Sequence, residues 1–383
     1  MINLDHNATT RIAAEALDVL SRHLMEDYAN PGSRHALGRR ARRVLESSRE
    51  SMAGHLGAEP DEVIFTSGGT EANNLALLGL AHGKPGLLAL TPGEHPSVME
   101  PALRLTGAGW SLHSLPIDSA GRLVEPRPLP EATRLAAVLL AHNETGVIQD
   151  VADLAAHCRQ RQIPLHLDAV QAVGKIPVDF HALDAVSLSL GAHKFCGPRG
   201  VGALLLRRGW KLAPVLFGGH QELERRPGTE PVALIAAMAR ALELAHAAGK
   251  SRRQQVQALR DRLQSGLLDQ CAPAIVNGSL THRLPNTLNI AFPGLQGEAL
   301  LVALDLAGIA CSLGSTCASG SAEPAPVLIA MGLAEAAANA SVRFSLGVDT
   351  TAQEIDQAIA IISRVVHRLR TVTAPSTVAP SNG

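Results

Sequence analysis

The chain has 383 residues, 46% of them hydrophobic, so it can bury enough core for a large domain joined to a smaller one. A formal net charge of −1 and a sequence pI near 7.0 argue against a nucleic-acid surface and a polybasic membrane anchor. No run approaches the roughly 18 apolar residues of a membrane helix, and the first residues lack a secretion signal. We therefore expect a cytoplasmic protein that contacts neither nucleic acid nor a membrane.

Short apolar runs alternate with segments of helical period along the first two thirds of the chain. This alternation predicts βαβ units and a mainly parallel sheet that is covered on both faces. In such sheets ligands bind at the carboxyl ends of the strands. The predicted strands are 62–66, 86–90, 135–141, 163–169, 185–190 and 200–206, and the clearest helices between them are 71–83 and 150–162.

The last third of the chain has a different pattern. A long helical stretch begins at Pro231 and predicts a connection to a second domain that starts near residue 250. Residues 287–292 and 341–347 have the composition of strands and are assigned to that domain. The final residues are rich in Ser, Thr and Pro, which is typical of a disordered tail.

A phosphate site is predicted where the first strand ends, in the segment TSGGTEANN at 66–74. Gly68 and Gly69 allow the backbone to approach a ligand closely, and Thr70 adds a hydroxyl. The helix that follows offers free N–H groups and the positive end of its dipole. A plain strand-to-helix turn with Thr as a cap explains the same residues, so this segment alone leaves both interpretations open.

Two further candidates, Asp168 and Lys194, follow apolar strands. A buried lone carboxylate is costly unless a cation or donor meets it, and a protonated pyridine nitrogen is such a partner for Asp168. A helix cap is the alternative role for Asp168. Gln171, three residues further on, is placed to reach the same ligand. An amine between apolar strands loses water, which lowers its pKa and suits Lys194 to Schiff-base chemistry. A solvated loop lysine is the alternative there.

The five cysteines form no CxxC pair, which argues against zinc ribbons and dithiol redox motifs. Four of them fit scattered free thiols, and Cys311 in particular is expected to be structural. Cys317 lies in a glycine- and serine-rich loop at 310–324, where exposure and mobility suit a nucleophilic thiol. By itself, a loop cysteine is more often non-catalytic. The five are Cys158, Cys196, Cys271, Cys311 and Cys317.

These segments, in this order, resemble the cysteine desulfurases, which belong to the pyridoxal-phosphate (PLP) enzymes with the aspartate-aminotransferase-like fold. The resemblance runs from LDHNATT to VRFSLGVDTTAQEID and includes SGGTEANN, GEHPS, HNETG, LDAVQAVGK, AHKFCGPRGVG and RRPGTEP. It implies an α/β fold, in which a large domain has a mainly parallel seven-stranded sheet and a smaller α/β domain follows. The implied division is an N-terminal segment 1–15 packing with the small domain, a PLP-binding domain 16–250, a small domain 251–370 with the Cys317 loop, and a disordered tail 371–383.

The resemblance also implies the catalytic roles. Lys194 would carry PLP, Asp168 would pair with the pyridine nitrogen, and Cys317 would receive the sulfur. His95, in GEHPS, would stack on the ring and help to move protons, although a satisfied loop histidine is the alternative.

Binding roles follow from the same resemblance. Gln171 would contact the ring hydroxyl, and Asn143 and Arg343 would hold the substrate carboxylate, for which a guanidinium fork is suited. The phosphate would be bound by Gly69, Thr70 and His193, and by Thr229 from the second subunit of a homodimer.

The sequence departs from the family pattern at one phosphate contact. A Ser or Thr is usual three residues before the lysine, but here that position is Gly191. Ser189 lies two residues earlier, on the same face of the predicted strand, and is expected to substitute for it. Backbone amides alone are the alternative.

The implied activity converts L-cysteine to L-alanine and leaves a persulfide on Cys317. The acceptor would be an iron–sulfur scaffold or a tRNA-thiolation relay, and Cys317 would contact a metal only as a cluster in such a complex. The stretch after Cys317 resembles the long-loop group, which predicts a loop that is poorly ordered at rest and swings between PLP and the acceptor. The rivals are a selenocysteine lyase, a sulfinate lyase or small aminotransferase, and a non-catalytic sulfur-relay scaffold.

Overall fold

The computed structural model describes residues 1–124, 128–313 and 324–373. The strands in these ranges are β1 (Ile2–Asn3), β2 (Val63–Thr66), β3 (Leu87–Leu90), β4 (Ser111–Ser114), β5 (Thr133–Leu139), β6 (Leu165–Asp168), β7 (Ser187–Gly191), β8 (Gly202–Leu206), β9 (Ile275–Asn277), β10 (Thr287–Ala291), β11 (Ile309–Ala310), β12 (Ser312–Leu313) and β13 (Ser341–Ser345). The α-helices are α1 (Ala14–Glu26), α2 (Ala36–Leu56), α3 (Gly69–Leu80), α4 (Pro96–Thr106), α5 (Ala152–Gln160), α6 (Val232–Gln270), α7 (Gly297–Leu306), α8 (Pro326–Ala330), α9 (Glu335–Asn339) and α10 (Ala352–Thr373).

The largest sheet has seven strands in the order β2-β8-β7-β6-β5-β3-β4. Strand β8 is antiparallel to both of its neighbours, and the other adjacent pairs are parallel. The predicted mainly parallel sheet is therefore confirmed, and all six predicted strands are present. The pattern missed β4, because its sequence SLHS is polar and partly exposed at the edge of the sheet.

Both faces of this sheet are covered by helices, as near-continuous apolar strands require. Val63 and Phe65 of β2 pack into the same cluster as Leu45 of α2 and Met238 of α6. Ile64 points to the opposite face, into a cluster that includes Leu77 of α3. Because side chains alternate between the two faces of a strand, β2 contributes to two separate hydrophobic cores.

A second, antiparallel sheet has the order β12-β13-β10-β9 and packs with α7 and α10. Its core includes Leu288 of β10, Phe344 of β13 and Ile355 of α10. The predicted strands 287–292 and 341–347 are confirmed as β10 and β13. Leu4 belongs to the same core, because β1 pairs in parallel with β11.

Helix α6 joins the two parts of the molecule. It is broken at Gly249, where φ is 48° and ψ is −137°. Met238, before the break, packs with the seven-stranded sheet, and Leu263, after it, packs with the antiparallel sheet. The domain limits themselves stay a prediction. Helix α10 continues to Thr373, so the predicted tail does not begin at residue 371, and its remainder lies outside the described residues.

Helix α6 is also long and apolar enough to match a membrane span by composition. Half of its most apolar window is buried inside the protein, where the helix packs against α1 and α2. Burial against protein explains the apolar composition without a lipid contact.

Candidate active site

The predicted site residues meet at the carboxyl edge of the seven-stranded sheet. Asp168 is the last residue of β6 and pairs with Ser189 of β7. Strand β7 ends at Gly191, and the turn that follows holds His193 and Lys194. Ligands of parallel sheets bind at this edge.

Asp168 is 2% exposed, and both of its carboxylate oxygens accept hydrogen bonds. The backbone N–H of Val170 donates to Oδ1 at 3.0 Å, and the side-chain amide of Asn73 donates to Oδ2 at 2.8 Å. The two donors fix the orientation of the carboxylate, which suits Asp168 to pair with a cation.

The amine of Lys194 donates to the carbonyl oxygens of Asn7 at 2.7 Å and of Ala8 at 2.9 Å. Burial lowers the pKa of this amine to about 8 from its ordinary 10.5, with a further contribution from the Arg343 charge. Asp168 acts in the opposite direction. A minor fraction of Lys194, much larger than that of an ordinary lysine, is therefore a neutral, nucleophilic amine near neutral pH.

His95 caps helix α4 and faces the same space. Its Nδ1 accepts the backbone N–H of Ser97 at 3.1 Å and lies 2.7 Å from the Ser97 hydroxyl. Burial lowers the pKa of His95, Asp168 raises it, and Lys194 lowers it. The influence of both charges places the imidazole near Asp168 and Lys194.

The turn from β2 into α3 forms the predicted phosphate cradle. Gly68 adopts φ 155° and ψ −179°, a conformation essentially restricted to glycine, and Gly69 begins the helix. A Cβ on Gly191 would lie 3.4 Å from the backbone nitrogen of Gly69, an ordinary van der Waals contact, so the end of β7 lies beside the N-terminus of the helix. Thr70 is exposed in the first turn.

The two remaining predicted phosphate contacts differ in setting. His193 lies beside Lys194, and burial lowers the pKa of its imidazole to about 4; its Nδ1 is 3.2 Å from the Thr9 hydroxyl. Ser189 is completely buried, and its hydroxyl has no hydrogen-bond partner within the described residues. An unpartnered buried hydroxyl is costly, which favours a partner that only a ligand supplies.

Arg343, on β13, is held between two carboxylates. Its Nη1 donates to Glu144 Oε1 and its Nη2 to Asp5 Oδ1, both at 2.8 Å. Nη1 also donates to the Asn143 carbonyl at 3.3 Å, and the Asn143 side chain donates to Glu144 Oε1 at 2.7 Å. The predicted substrate groups Asn143 and Arg343 therefore do lie together, with the guanidinium fixed in place.

Gln171 is 3% exposed and is engaged at both ends of its amide. Its Nε2 donates to the Asn7 carbonyl at 3.0 Å, and its Oε1 accepts from Lys175. Lys175 also donates to Asn7 Oδ1 at 2.9 Å, and burial holds the pKa of this amine well below its ordinary value.

Sequence reasoning assigned no role to several residues that complete the site. Each stands in a segment that carries the resemblance, and each side chain contacts a predicted site residue or its neighbour. The signal available was therefore their position in LDHNATT, SGGTEANN, HNETG and LDAVQAVGK. The residues are Asp5, Asn7, Asn73, Glu144 and Lys175.

Thr229 is exposed in the segment before α6, as a contact to a second subunit requires. Cys317 and the predicted mobile loop lie outside the described residues. The four described cysteines are free thiols, and burial raises the pKa of Cys158 and of Cys311 to about 12, so these two are poor nucleophiles.

The residues present fit PLP. The cofactor needs an amine of lowered pKa, an anion for its pyridine nitrogen and a cradle for its phosphate. Lys194, Asp168 and the Gly68–Gly69 turn have these properties, and the unpartnered hydroxyl of Ser189 lies on the strand between them.

Comparison with known proteins identifies the family. Residues 2–358 match the family model described as aminotransferase class-V, so the chain belongs to this family of PLP-dependent enzymes. A cysteine desulfurase IscS of Dictyoglomus turgidum is 38% identical over 97% of this chain and 96% of its own length. Within the class-V family, the chain therefore belongs to the cysteine desulfurases.

Solved structures agree with this assignment. A structure described as a NifS-like protein has a TM-score of 0.90 and 34% identity, covering 96% of this chain and all of the other. The structure of SspA in complex with cysteine has a TM-score of 0.80 and 30% identity, covering 90% and 99% of the two chains. The α/β fold expected from the sequence is thus confirmed at the level of the whole chain.

Proposed function

We propose that this chain is a cysteine desulfurase that uses PLP, with Lys194 holding the cofactor and Cys317 receiving sulfur from L-cysteine. The observation that carries the proposal is the buried Lys194 amine, whose pKa is lowered to about 8 beside Asp168. The family assignment and the bound cysteine of the SspA structure support L-cysteine as the substrate.

When bound, PLP withdraws electrons from the α-carbon of an amino acid attached to it. Asp168, whose oxygens are both fixed by donors, would stabilise positive charge on the pyridine nitrogen. The Lys194 amine, in its neutral form, accepts the proton from the substrate α-carbon at Nζ. Arg343 orients the substrate by pairing with its carboxylate.

Sulfur transfer requires the Cys317 thiolate, since a thiol is a poor nucleophile. The thiolate attacks the substrate sulfur, an S–S bond forms and the Cβ–S bond of the substrate breaks. The electron pair of that bond remains with Cβ, which gains a proton. L-cysteine and the Cys317 thiol thus become L-alanine and the Cys317 persulfide, with the sulfur oxidised and the carbon reduced.

The test uses purified protein, L-cysteine and a thiol reductant. Lys194→Ala should lose the visible absorbance of bound PLP and all turnover, whereas Lys211→Ala, at an exposed position, should retain both. Cys317→Ser should keep the PLP absorbance and form no persulfide, whereas Cys158→Ala should form it normally. Alanine formation by Lys194→Ala at the normal rate would contradict the proposal.

The nearest alternatives are separated by product. A selenocysteine lyase would prefer selenocysteine over cysteine by kcat/KM, and an aminotransferase would form a keto acid in place of alanine. Neither needs Cys317, so persulfide on Cys317 favours desulfuration. A non-catalytic relay would form no alanine at all.

The predicted loop motion is tested in the same protein. Hydrogen exchange should be fast across residues 314–322, because this glycine- and serine-rich stretch has little apolar area to bury. Strong protection of these amides would contradict a swinging loop and favour a packed connection between a strand and a helix.

We also propose a cytoplasmic homodimer that passes sulfur to an iron–sulfur scaffold or a tRNA-thiolation relay. The free state of the described cysteines supports a reducing compartment. Capture of partners under conditions that form the persulfide, compared with Cys317→Ser, would identify the acceptor.

A further inference from the structure

A buried chain of hydrogen bonds connects Asp168 to His95 through one side chain, Asn73 of α3. The Asn73 amide nitrogen donates to Asp168 Oδ2 and to the Ser97 hydroxyl, both at 2.8 Å. The Asn73 oxygen lies 2.9 Å from His166 Nε2. His166 Nδ1 lies 2.9 Å from the Ser187 hydroxyl, and Asn73, His166 and Ser187 are at most 1% exposed.

The direction of each hydrogen bond follows from the groups at the two ends. A carboxylate only accepts, so the part of Asn73 that faces Asp168 is its NH₂ group and its oxygen faces His166. The opposite orientation of the amide would set two oxygens against each other. His166 is neutral, since burial lowers its pKa to about 3, and it must donate from Nε2 to Asn73. Its Nδ1 then accepts from Ser187.

The other branch fixes His95. The Ser97 hydroxyl accepts from Asn73, and because His95 Nδ1 already accepts a backbone N–H, the hydroxyl proton is directed to that nitrogen, 2.7 Å away. The backbone N–H of Ser97 donates to the same Nδ1 at 3.1 Å. A nitrogen that accepts two hydrogen bonds carries no proton, so the proton of the neutral imidazole is on Nε2.

We propose that Asn73 is a positioning residue of this site, whose single amide fixes the Asp168 carboxylate as an acceptor and, through the Ser97 hydroxyl, favours the Nε2–H tautomer of His95. His166 and Ser187 hold the amide in the required orientation. The inference relies on the proposed function only for the statement that Asp168 and His95 face the cofactor. These hydrogen bonds would fix the orientation of Asp168 and the position of the His95 proton before any ligand binds.

The decisive measurement uses cofactor-free protein with ¹⁵N-labelled histidine, because a protonated and a bare ring nitrogen have well separated ¹⁵N resonances. The His95 and His166 signals are assigned by their loss in His95→Gln and His166→Gln. We expect both rings to carry the proton on Nε2, with Nδ1 bare, at pH 7. A proton on Nδ1 of His95 in the unmodified protein would overturn the proposal without any variant.

Two variants test whether Asn73, acting through Ser97, controls the tautomer of His95. Asn73→Asp has nearly the same shape but shares a proton with Asp168, 2.8 Å away, and no longer donates to Ser97. The serine hydroxyl then turns to the new carboxyl group, only the backbone N–H still donates to His95 Nδ1, and the Nδ1–H form of His95 gains population. Ser97→Ala removes the hydroxyl donor and leaves only the backbone N–H of residue 97 at His95 Nδ1, so it should raise the Nδ1–H fraction in the same direction. Asn277→Asp is the matched control, because Asn277 is a buried asparagine that donates to Asn289 and Ser341 away from this site.

Activity of the PLP-loaded protein separates positioning from general damage. Ser97→Ala should lower kcat about 10-fold or more and leave KM for cysteine unchanged, because Arg343 is not part of the chain of hydrogen bonds. If Asn73→Asp and Ser97→Ala are folded and His95 remains purely Nε2–H, the proposal is wrong. The tautomer readout needs neither cofactor nor substrate, so its failure is distinct from a failure of desulfuration.

Discussion

At the scale of single residues, burial sets the chemistry of Lys194 more strongly than any neighbouring charge. The amine lies near Arg343, which opposes its protonation, and near Asp168, Asp5 and Glu144, which favour it. Burial is the largest influence, and the net result is a pKa of about 8. An amine that must attack the PLP aldehyde is thus partly neutral at physiological pH.

The lowered pKa predicts how loading of PLP depends on pH. Because only the neutral amine reacts, the loading rate of cofactor-free protein should rise with pH and level off above a midpoint near 8. In Arg343→Gln the midpoint should move upward, because a positive charge is lost and Asp5 and Glu144 are freed from their ion pairs. Stopped-flow absorbance after mixing with PLP measures the midpoint in the unmodified protein and in Arg343→Gln. A midpoint near 10.5 in the unmodified protein would contradict the environment described for Lys194.

A second prediction concerns Ser189, the hydroxyl without a partner. Ser189→Ala should weaken PLP retention by about 5- to 10-fold, the factor that corresponds to a net hydrogen bond of about 1 kcal/mol. Ser363→Ala, another buried serine but in α10, is the control and should retain PLP normally. Equal dissociation constants for the two variants would mean that backbone amides bind the phosphate without Ser189.

The site was only partly predictable from the sequence. Asp168 and Lys194 follow apolar strands, so their position at the sheet edge was foreseeable from strand periodicity. The hydrogen bonds of Asn73 and Glu144 were not, because they join residues that the fold brings together from separate parts of the chain. Periodicity specifies which face a residue occupies, whereas partners on other elements depend on the packing of whole helices and strands.

At the scale of elements, apolar periodicity identified the buried strands and failed at a polar edge. Strands β5, β7 and β8 were found because both of their faces are buried, which produces long apolar runs. Strand β4 was missed because an edge strand needs no such run. The break of α6 at Gly249 was also unforeseen, since the helical pattern continues through it.

The segment between β8 and α6 is anchored by a buried ion pair. Glu222, with φ 49°, accepts from both terminal nitrogens of Arg49 of α2 at 2.8 Å and from the N–H of Phe65 at 2.9 Å. The side chains of Arg49 and Glu222 are 10% and 1% exposed. Leu223 and Glu224 also have positive φ, so three consecutive residues take a conformation that side chains disfavour.

Removal of one partner should therefore be costly. Arg49→Met leaves the Glu222 charge buried and should lower the free energy of unfolding by about 3–5 kcal/mol, measured by denaturant titration. The double variant Arg49→Met/Glu222→Leu should recover much of that loss. Arg208→Met breaks the exposed Arg208–Asp61 pair and is the control, with almost no effect expected. Equal effects of the two single variants would contradict an anchoring role.

At the scale of the whole molecule, the anchored segment exposes three large apolar side chains, Leu216, Phe217 and Leu223, called here the apolar patch. These side chains are 45%, 87% and 67% exposed, and Thr229 follows a few residues later. Such a patch next to a proposed subunit contact favours burial against a second copy of the chain.

We expect Phe217→Asp to weaken the homodimer, because a charge would be buried at its interface. Specific activity should then fall on dilution, since Thr229 no longer reaches the phosphate of the other subunit. Sedimentation velocity over a concentration series measures the association. Leu306→Asp, at an equally exposed leucine of α7, is the control. A monomeric variant with full activity would contradict sites shared between subunits.

The first ten residues have a consequence for synthesis in the cell. Ile2 pairs with Ile309, while the carbonyls of Asn7 and Ala8 hold the Lys194 amine, so the environment of this lysine depends on a strand that is made much later. Strand β11 begins 309 − 194 = 115 residues after Lys194, which at roughly 5–20 residues per second is about 6–23 s of translation. A nascent chain that already contains Lys194 thus waits for β9, β10 and β11 before the environment of this lysine is complete. Capture of the proposed PLP would therefore come late in synthesis.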